Sequence, residues 1–243
     1  MTTDCSSGQP EIRSITEPGL RPGGPVLTER ALEICNFPPG SRVADIGCGT
    51  GDTLECLERS GTCRSVGLDY SEMHLREAIP RLVLGRLIRG RAETLPFKKG
   101  FFDALFCECV FSLLGDRTTA FWEFERVLKD GGFLIVSDIF GRGGSGERES
   151  GAKSKEFRAK GLLAKEDLLG LLARFGFSLL LWEEHEKLLK EFAAHLILAG
   201  ERLPDQWACR QDQEGKKKAQ SAISCFLLVA RKSSRHEFDP AAG

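Results

Sequence analysis

The sequence predicts an α/β fold, a doubly wound and mostly parallel sheet of seven strands with helices on both faces. Three observations lead there. Short apolar runs alternate with amphipathic runs of helical spacing from Arg42 to Leu198, the pattern of βαβ units. The first strand runs through Val43-Ala44-Asp45-Ile46 straight into Gly47-Cys48-Gly49-Thr50-Gly51, and the amphipathic run Asp52 to Leu57 follows. Such a strand, turn and helix bring main-chain N–H groups and a helix N-terminus to the carboxyl edge of a sheet. A second strand, Ser65-Val66-Gly67-Leu68, ends in another acidic residue, Asp69.

Bulk properties narrow the function. The 243 residues are 41% hydrophobic, enough for a full core, and the net charge of −1 provides no global field for nucleic acid or anionic lipid. The nine cysteines follow no framework spacing and Met1-Thr2-Thr3-Asp4-Cys5 begins no signal peptide, so reduced thiols and a cytoplasmic location are expected. The most apolar stretch, Leu168 to Trp182, is interrupted by Arg174 and Gly176 and is too short to span a bilayer.

Taken in order, residues 1–20 read as a flexible arm and 21–232 as one domain, with a frayed tail over 233–243. Arg21-Pro22-Gly23-Gly24-Pro25 is a turn-rich hinge, Thr28 an N-cap for a helix from Glu29 to Asn36, and Pro38-Pro39-Gly40 its stop. A helix from Asp52 to Arg59 precedes the Asp69 strand. Ser71 caps the next helix, Glu72 to Ile79, which Pro80 stops. Arg81, Arg86, Arg89 and Arg91 surround the strand Leu87-Ile88 and read as a solvated face.

Phe101 to Val110 forms a buried strand on which Cys107 and Cys109 share a face, and Glu108 lies between them. These cysteines are either small packing residues or soft ligands. Thr118 to Lys129 has helical spacing, Asp130-Gly131-Gly132 stops it, and Phe133 to Ser137 is the fifth strand. The polar, glycine-rich residues 141–160 read as a flexible, lid-like segment. A helix from Leu162 to Arg174, a strand from Phe177 to Trp182, a helix from Glu184 to Leu198, a polar excursion over 201–221 and a strand from Ser224 to Ala230 complete the chain. His185 and His195 are not three or four residues apart, so they form no helical metal pair, and no metal is expected.

The glycine-rich turn carries the chemistry. Its GxGxG spacing puts Asp52 where a dinucleotide fingerprint has its third glycine, and Asp45 would repel a pyrophosphate while favouring a cationic group such as a sulfonium or ammonium. Asp69 can accept two ribose hydroxyls. With these residues the chain resembles the class I S-adenosylmethionine-dependent methyltransferases, of Rossmann-like fold, and within them the small-molecule group that includes the quinone-biosynthesis C-methyltransferases.

The resemblance implies S-adenosyl-L-methionine as methyl donor, with Asp45, Gly47, Cys48, Gly49, Gly51, Asp69, Tyr70, Ala92, Glu93 and Cys107 around it. It also implies an N-terminal helix over the cleft, with Arg21 and Thr28 near the cofactor carboxylate, and a flexible segment after strand five over the acceptor. Arg91 stands where the family commonly has an Asp that receives the adenine amino group, which leaves Glu93 as the acceptor there. The partner expected is a small-molecule methyl acceptor. Because the leaving group is already good, no catalytic signature is obligatory, and Cys109, Glu108 and His185 are the candidates. A loose likeness to arsenite methyltransferases at Cys109 and a non-catalytic nucleoside-binding sensor are the alternatives.

Overall fold

A computed structural model describes residues 21–142, 162–201, 203 and 223–234. Its strands are β1 Ser41–Ile46, β2 Cys63–Asp69, β3 Arg86–Arg89, β4 Phe102–Glu108, β5 Leu128–Gly141, β6 Leu163–Ala164, β7 Phe177–Glu184 and β8 Ile223–Lys232. Its helices are α1 Gly24–Cys35, α2 Asp52–Ser60, α3 Glu72–Ala78, α4 Arg117–Val127, α5 Lys165–Arg174 and α6 Glu186–Leu198. The sheet runs β3-β2-β1-β4-β5-β8-β7, the seven strands expected, and a two-residue β6 pairs with β5 beside that path. Strands β1 to β5 are parallel, whereas β8 is antiparallel to both β5 and β7.

The chain winds from β1 outward through β2 and β3, then returns to the other side of β1 for β4 and β5. The crevice between the carboxyl ends of β1 and β4 is thus the topological switch point of the sheet, where open α/β folds hold ligands. One face is covered by α1, α2 and α3 through Leu27, Ala31, Leu54, Leu57 and Leu75, and the other by α4 and α5 through Phe121, Phe124, Leu168 and Leu172. Strand β8 is buried on both sides, which is why Ile223 to Ala230 is apolar without alternation.

Several boundaries differ from expectation for local reasons. Helix α1 begins at Gly24, so Thr28 lies inside it and is fully buried. Gly23 starts the helix with φ 84° and Pro25 presets its first turn, and a Cβ on Gly23 would lie 2.3 Å from Leu27. Helix α4 ends at Val127 because Leu128 leaves it in an extended conformation to pair with Phe102, so Lys129 to Gly132 belong to β5. The turn at Ile79–Arg81 carries the chain one 3₁₀ turn through Pro80.

Leu163 and Ala164 form β6 where a helix was expected. Gly141 closes β5, and Arg142 is paired with Glu184 and Glu186, so the polar segment does not start at 141. Its residues 143–160 lie outside the described residues, as do the arm 1–20, residues 204–222 with Cys209, and 235–243. Among the described residues no helix is long and apolar enough to cross a membrane.

Lys232, only 4% exposed at the end of β8, ties the last strand to the α4–β5 junction. Its Nζ donates to the carbonyls of Glu125 (2.7 Å) and Leu128 (3.0 Å) and pairs with the carboxylates of Glu125 (2.9 Å) and Asp130 (3.4 Å). Removing a buried cation strands its acceptors. Lys232→Ala is expected to destabilise the fold by about 2 to 4 kcal/mol, read as a lower midpoint in urea unfolding.

Candidate functional site

The site is built on the tips of β1, β2 and β4. After β1 the chain turns through Gly47, whose φ of 77° and close approach to β4 leave no room for a side chain, since a Cβ would sit 2.3 Å from Val110. The N–H groups of Gly47 and Cys48 donate to the Leu68 carbonyl at 2.6 and 3.1 Å. That of Gly49 donates to Asp69 Oδ2 at 2.9 Å, and Asp69 Oδ1 accepts from Ser71 N–H at 2.8 Å. Asp69 therefore joins the glycine turn to the start of α3, where Ser71 caps the helix as expected. Each carboxylate oxygen holds one backbone donor and retains a lone pair. Gly51, at φ 94°, opens α2.

Two more carboxyl groups lie beside the turn. Asp45, 2% exposed, has its pKa pushed up to about 8, first by burial and then by the Glu108 carboxylate, with Arg21 opposing. Glu108, 5% exposed, is held on both oxygens. Its Oε2 accepts from Arg21 Nη2 at 2.8 Å, from the Thr53 hydroxyl at 2.6 Å and from the Thr28 hydroxyl at 3.0 Å, while the Ser137 hydroxyl donates to Oε1 at 3.3 Å. Arg21 also donates to the hydroxyls of Thr28 (2.7 Å) and Thr53 (3.0 Å). Burial opposes its charge, but Glu108 and the other acidic groups nearby hold its pKa above the usual value. Its Nε is buried without a partner among the described residues. Glu108 is thus an anchor for α1 and the residues before it, without the free lone pairs and exposure of a general base.

The cysteines are placed differently from expectation. Cys107 is fully buried among Ala44, Ile46, Phe111 and Val136, in the layer facing α4. Cys109 lies beyond the end of β4 at φ 57°, with its N–H on the Ser137 carbonyl at 2.7 Å, so the two-residue alternation does not reach it. Burial, and next to it the Asp138 carboxylate, raise both thiols well above the ordinary value. Cys48, buried in the glycine turn, is raised by burial and by Asp45 and Asp69. None is poised as a thiolate. Among the described residues no three His, Cys, Asp or Glu side chains converge on a possible metal position.

At the edge toward β3, the Gly90 N–H donates to the Asp69 carbonyl at 3.0 Å, and a bridge from Arg91 to Thr94 closes the turn that carries Ala92 and Glu93. Ala92 is buried and Glu93 half-buried. Tyr70 is 67% exposed, and the Arg91 guanidinium lies 5.8 Å from its ring centre. His185, by contrast, stands at the carboxyl end of β7 with β8 and β5 between it and β4. There its Nε2 is 3.4 Å from Glu183, so it does not join the other candidates.

Four groups escaped the sequence reading. Thr53 and Ser137 complete the Glu108 network. Asp138 accepts from the N–H and hydroxyl of Ser112 at 2.7 and 2.9 Å and so fixes the loop after β4. Arg81 grips the glycine turn and is not a solvated charge. Thr53, Ser137 and Asp138 carry no spacing signal that would have singled them out, and Arg81 is hidden in the sequence among the other arginines around β3.

Comparison with known proteins finds methyltransferases. Residues 44–136 match the model of the methyltransferase domain family. The chain is 29% identical over 158 residues to (+)-O-methylkolavelool synthase of Herpetosiphon aurantiacus, covering 62% of this chain and 56% of that protein. It is 34% identical over 112 residues to demethylmenaquinone methyltransferase of Thermotoga maritima, covering 46% and 49%. The chain spans about half the length of these curated relatives.

Among solved structures, the [4+2]-cyclase SpnF superposes with a TM-score of 0.64 and 26% identity over 86% of this chain and 80% of its own. Phosphoethanolamine N-methyltransferase 2 of Haemonchus contortus, solved with S-adenosyl-L-methionine, superposes at 0.66 with 19% identity over 88% and 54%. The matched segment begins one residue before Asp45 and takes in Asp69 and Glu108, so the acidic strand tips fall inside the part that is shared. The likeness to the methyltransferase domain family thus extends over residues 44–136, the stretch that runs from β1 into β5.

Proposed function

We propose that the chain binds S-adenosylmethionine across the tips of β1, β2 and β4 and transfers its methyl group to a small-molecule acceptor. The observation that carries this reading is the cluster of buried carboxyl groups at the switch point of the sheet, where Asp45 lies beside Glu108 and the glycine turn and has its pKa pushed up by burial and by Glu108. A dry acidic pocket of this kind rejects anions and gains most from a cation. The names of the relatives support the acceptor class, since two of them are an O-methylkolavelool synthase and a demethylmenaquinone methyltransferase.

The residues fit the donor along its length. Asp69 has a lone pair on each oxygen for the ribose hydroxyls, already oriented by two backbone donors. Tyr70, next to Asp69 at the end of β2, and Ala92 and Glu93 in the turn after β3 would border the base. Arg21 Nε is the orphaned buried donor that a methionine carboxylate would satisfy. Bound there, the donor supplies an electrophilic methyl group on a sulfonium. The protein's own part is to hold the two reactants in line, keep water out, and place Asp45 against the positive charge.

The arsenic alternative loses support from the cysteines, because Cys107 is inside the core and Cys109 is turned off the strand. A calorimetric titration with S-adenosylmethionine and S-adenosylhomocysteine tests the main reading, and absence of binding by both overturns it. Tight binding without turnover on any acceptor favours a sensor. Asp69→Ala is expected to weaken binding by about 1.5 to 3 kcal/mol for each charged hydrogen bond lost, and an unchanged affinity removes the ribose assignment.

Asp45 generates a second expectation. Its carboxyl titrates at about 8 in the ligand-free fold against an ordinary value of 3.8, and a cation beside it must lower that value. Binding of S-adenosylmethionine near pH 7 is therefore expected to release a proton, seen as a dependence of the heat on buffer ionisation enthalpy that Asp45→Asn abolishes. An acid whose pKa is raised by folding favours the folded state below its ordinary value, and the contribution is lost as pH rises to about 8. Urea unfolding of the free protein should then show Asp45's share of stability falling over that range, and Asp45→Asn should flatten the slope.

A further inference from the structure

Outside the cleft, one side chain holds the glycine turn from behind. Arg81, at the end of the 3₁₀ turn that follows α3, sends Nη1 to the Thr50 carbonyl (2.9 Å) and the Thr50 hydroxyl (3.1 Å). Its Nη2 meets Asp52 Oδ1 at 2.5 Å and Glu55 Oε2 at 3.0 Å, and Nε meets Glu55 Oε1 at 3.1 Å. The guanidinium thus ties the turn to the first turn of α2 through five contacts. The peptide between Thr50 and Gly51 is fixed at both ends, because the Gly51 N–H donates to the Cys48 carbonyl at 2.9 Å.

The neighbouring chain seats Arg81 in turn. Glu58 of α2 accepts the N–H groups of Val83 (3.0 Å), Leu84 (2.8 Å) and Gly85, and a Cβ on Gly51 would lie 3.3 Å from Ala78 and 3.5 Å from Leu82. The α3–β3 connection is pressed against the outer side of the turn. Arg81 is only 23% exposed, so its hydrogen bonds are partly shielded from water.

We propose that Arg81 is a positioning residue for nucleoside binding. It holds the glycine turn in the shape that receives the ligand and reaches the turn from the α3–β3 connection. The inference rests on the cofactor reading above. Two roles could give such an arginine influence, and they differ in sign. As a clamp, it acts equally on charged and neutral ligands. As a charge that offsets Asp52 and Glu55, it opposes a cationic ligand, and its loss would strengthen S-adenosylmethionine relative to the neutral thioether of S-adenosylhomocysteine.

The experiment is calorimetric titration of the full chain and its Arg81→Met and Arg81→Lys variants with both ligands, beside thermal melts. For Arg81→Met the expected result is a loss of about tenfold or more in affinity for both ligands in parallel, as follows from loosening several charge-assisted hydrogen bonds. Arg81→Lys should recover part of it, since an ammonium can hold one arm of the clamp but lacks the planar fork. A merely structural role would lower the melting temperature and leave the affinity of the folded protein unchanged. If Arg81→Met does not fold, Glu55→Gln opens one arm with the stem of Arg81 intact, and a parallel loss is again expected. Affinities within about twofold of the parent, or a gain for S-adenosylmethionine over S-adenosylhomocysteine, overturn the proposal. If the parent chain binds neither ligand, the cofactor reading falls and this inference falls with it.

Discussion

Three carboxyl groups at neighbouring strand tips, each 5% exposed or less, are the constraint on which the rest of the site depends. Burying even one such group without partners is costly, and placing three together adds mutual repulsion. Each has a different remedy. Asp69 receives backbone N–H groups from the glycine turn and from the start of α3. Glu108 receives a guanidinium and three hydroxyls. Asp45, which has the least compensation, has its pKa pushed up to about 8. The early start of α1, the seating of α2 and the path of the glycine turn follow from where those partners must come from.

The sheet and its acidic tips were legible because they rest on local signals. Alternation, a glycine-rich turn after a strand and an acidic residue at a strand end survive in one dimension, and the seven-stranded path contains every strand read from them. What escaped depends on contacts far apart in sequence. Thr28 looks like a helix cap because its hydroxyl precedes an amphipathic run, yet the same hydroxyl meets a carboxylate 80 residues away. Arg81 looks solvated for the same reason, since its partners lie on α2 and the turn before it. Cys109 follows strand alternation on paper, but the strand ends one residue sooner and a left-handed residue takes over.

The loop after β4 has less chemistry of its own. It is fixed by Asp138 through Ser112, and by Arg117, which donates to the carbonyls of Phe111 and Ser112 at 3.1 and 2.9 Å. These contacts shape a wall and supply no nucleophile. Methyl transfer from a good leaving group demands little more than alignment, and a similar fold belongs to a protein named for a [4+2] cyclisation. A donor site can therefore be argued from named residues in this chain while its chemical outcome is set by whatever binds opposite it.

The antiparallel strand β8 sits between β5 and β7, although it is the last strand in sequence among the described residues. During synthesis, β1 to β5 can pair with one another as they emerge, with only the far edge of β5 left open. Strand β7 has no partner in the sheet until residues 223–232 leave the ribosome, and that edge of β5 must wait with it. The strand order thus lets the half that carries the glycine turn assemble first and leaves closure of the β5–β8–β7 half until residues 223–232 are available.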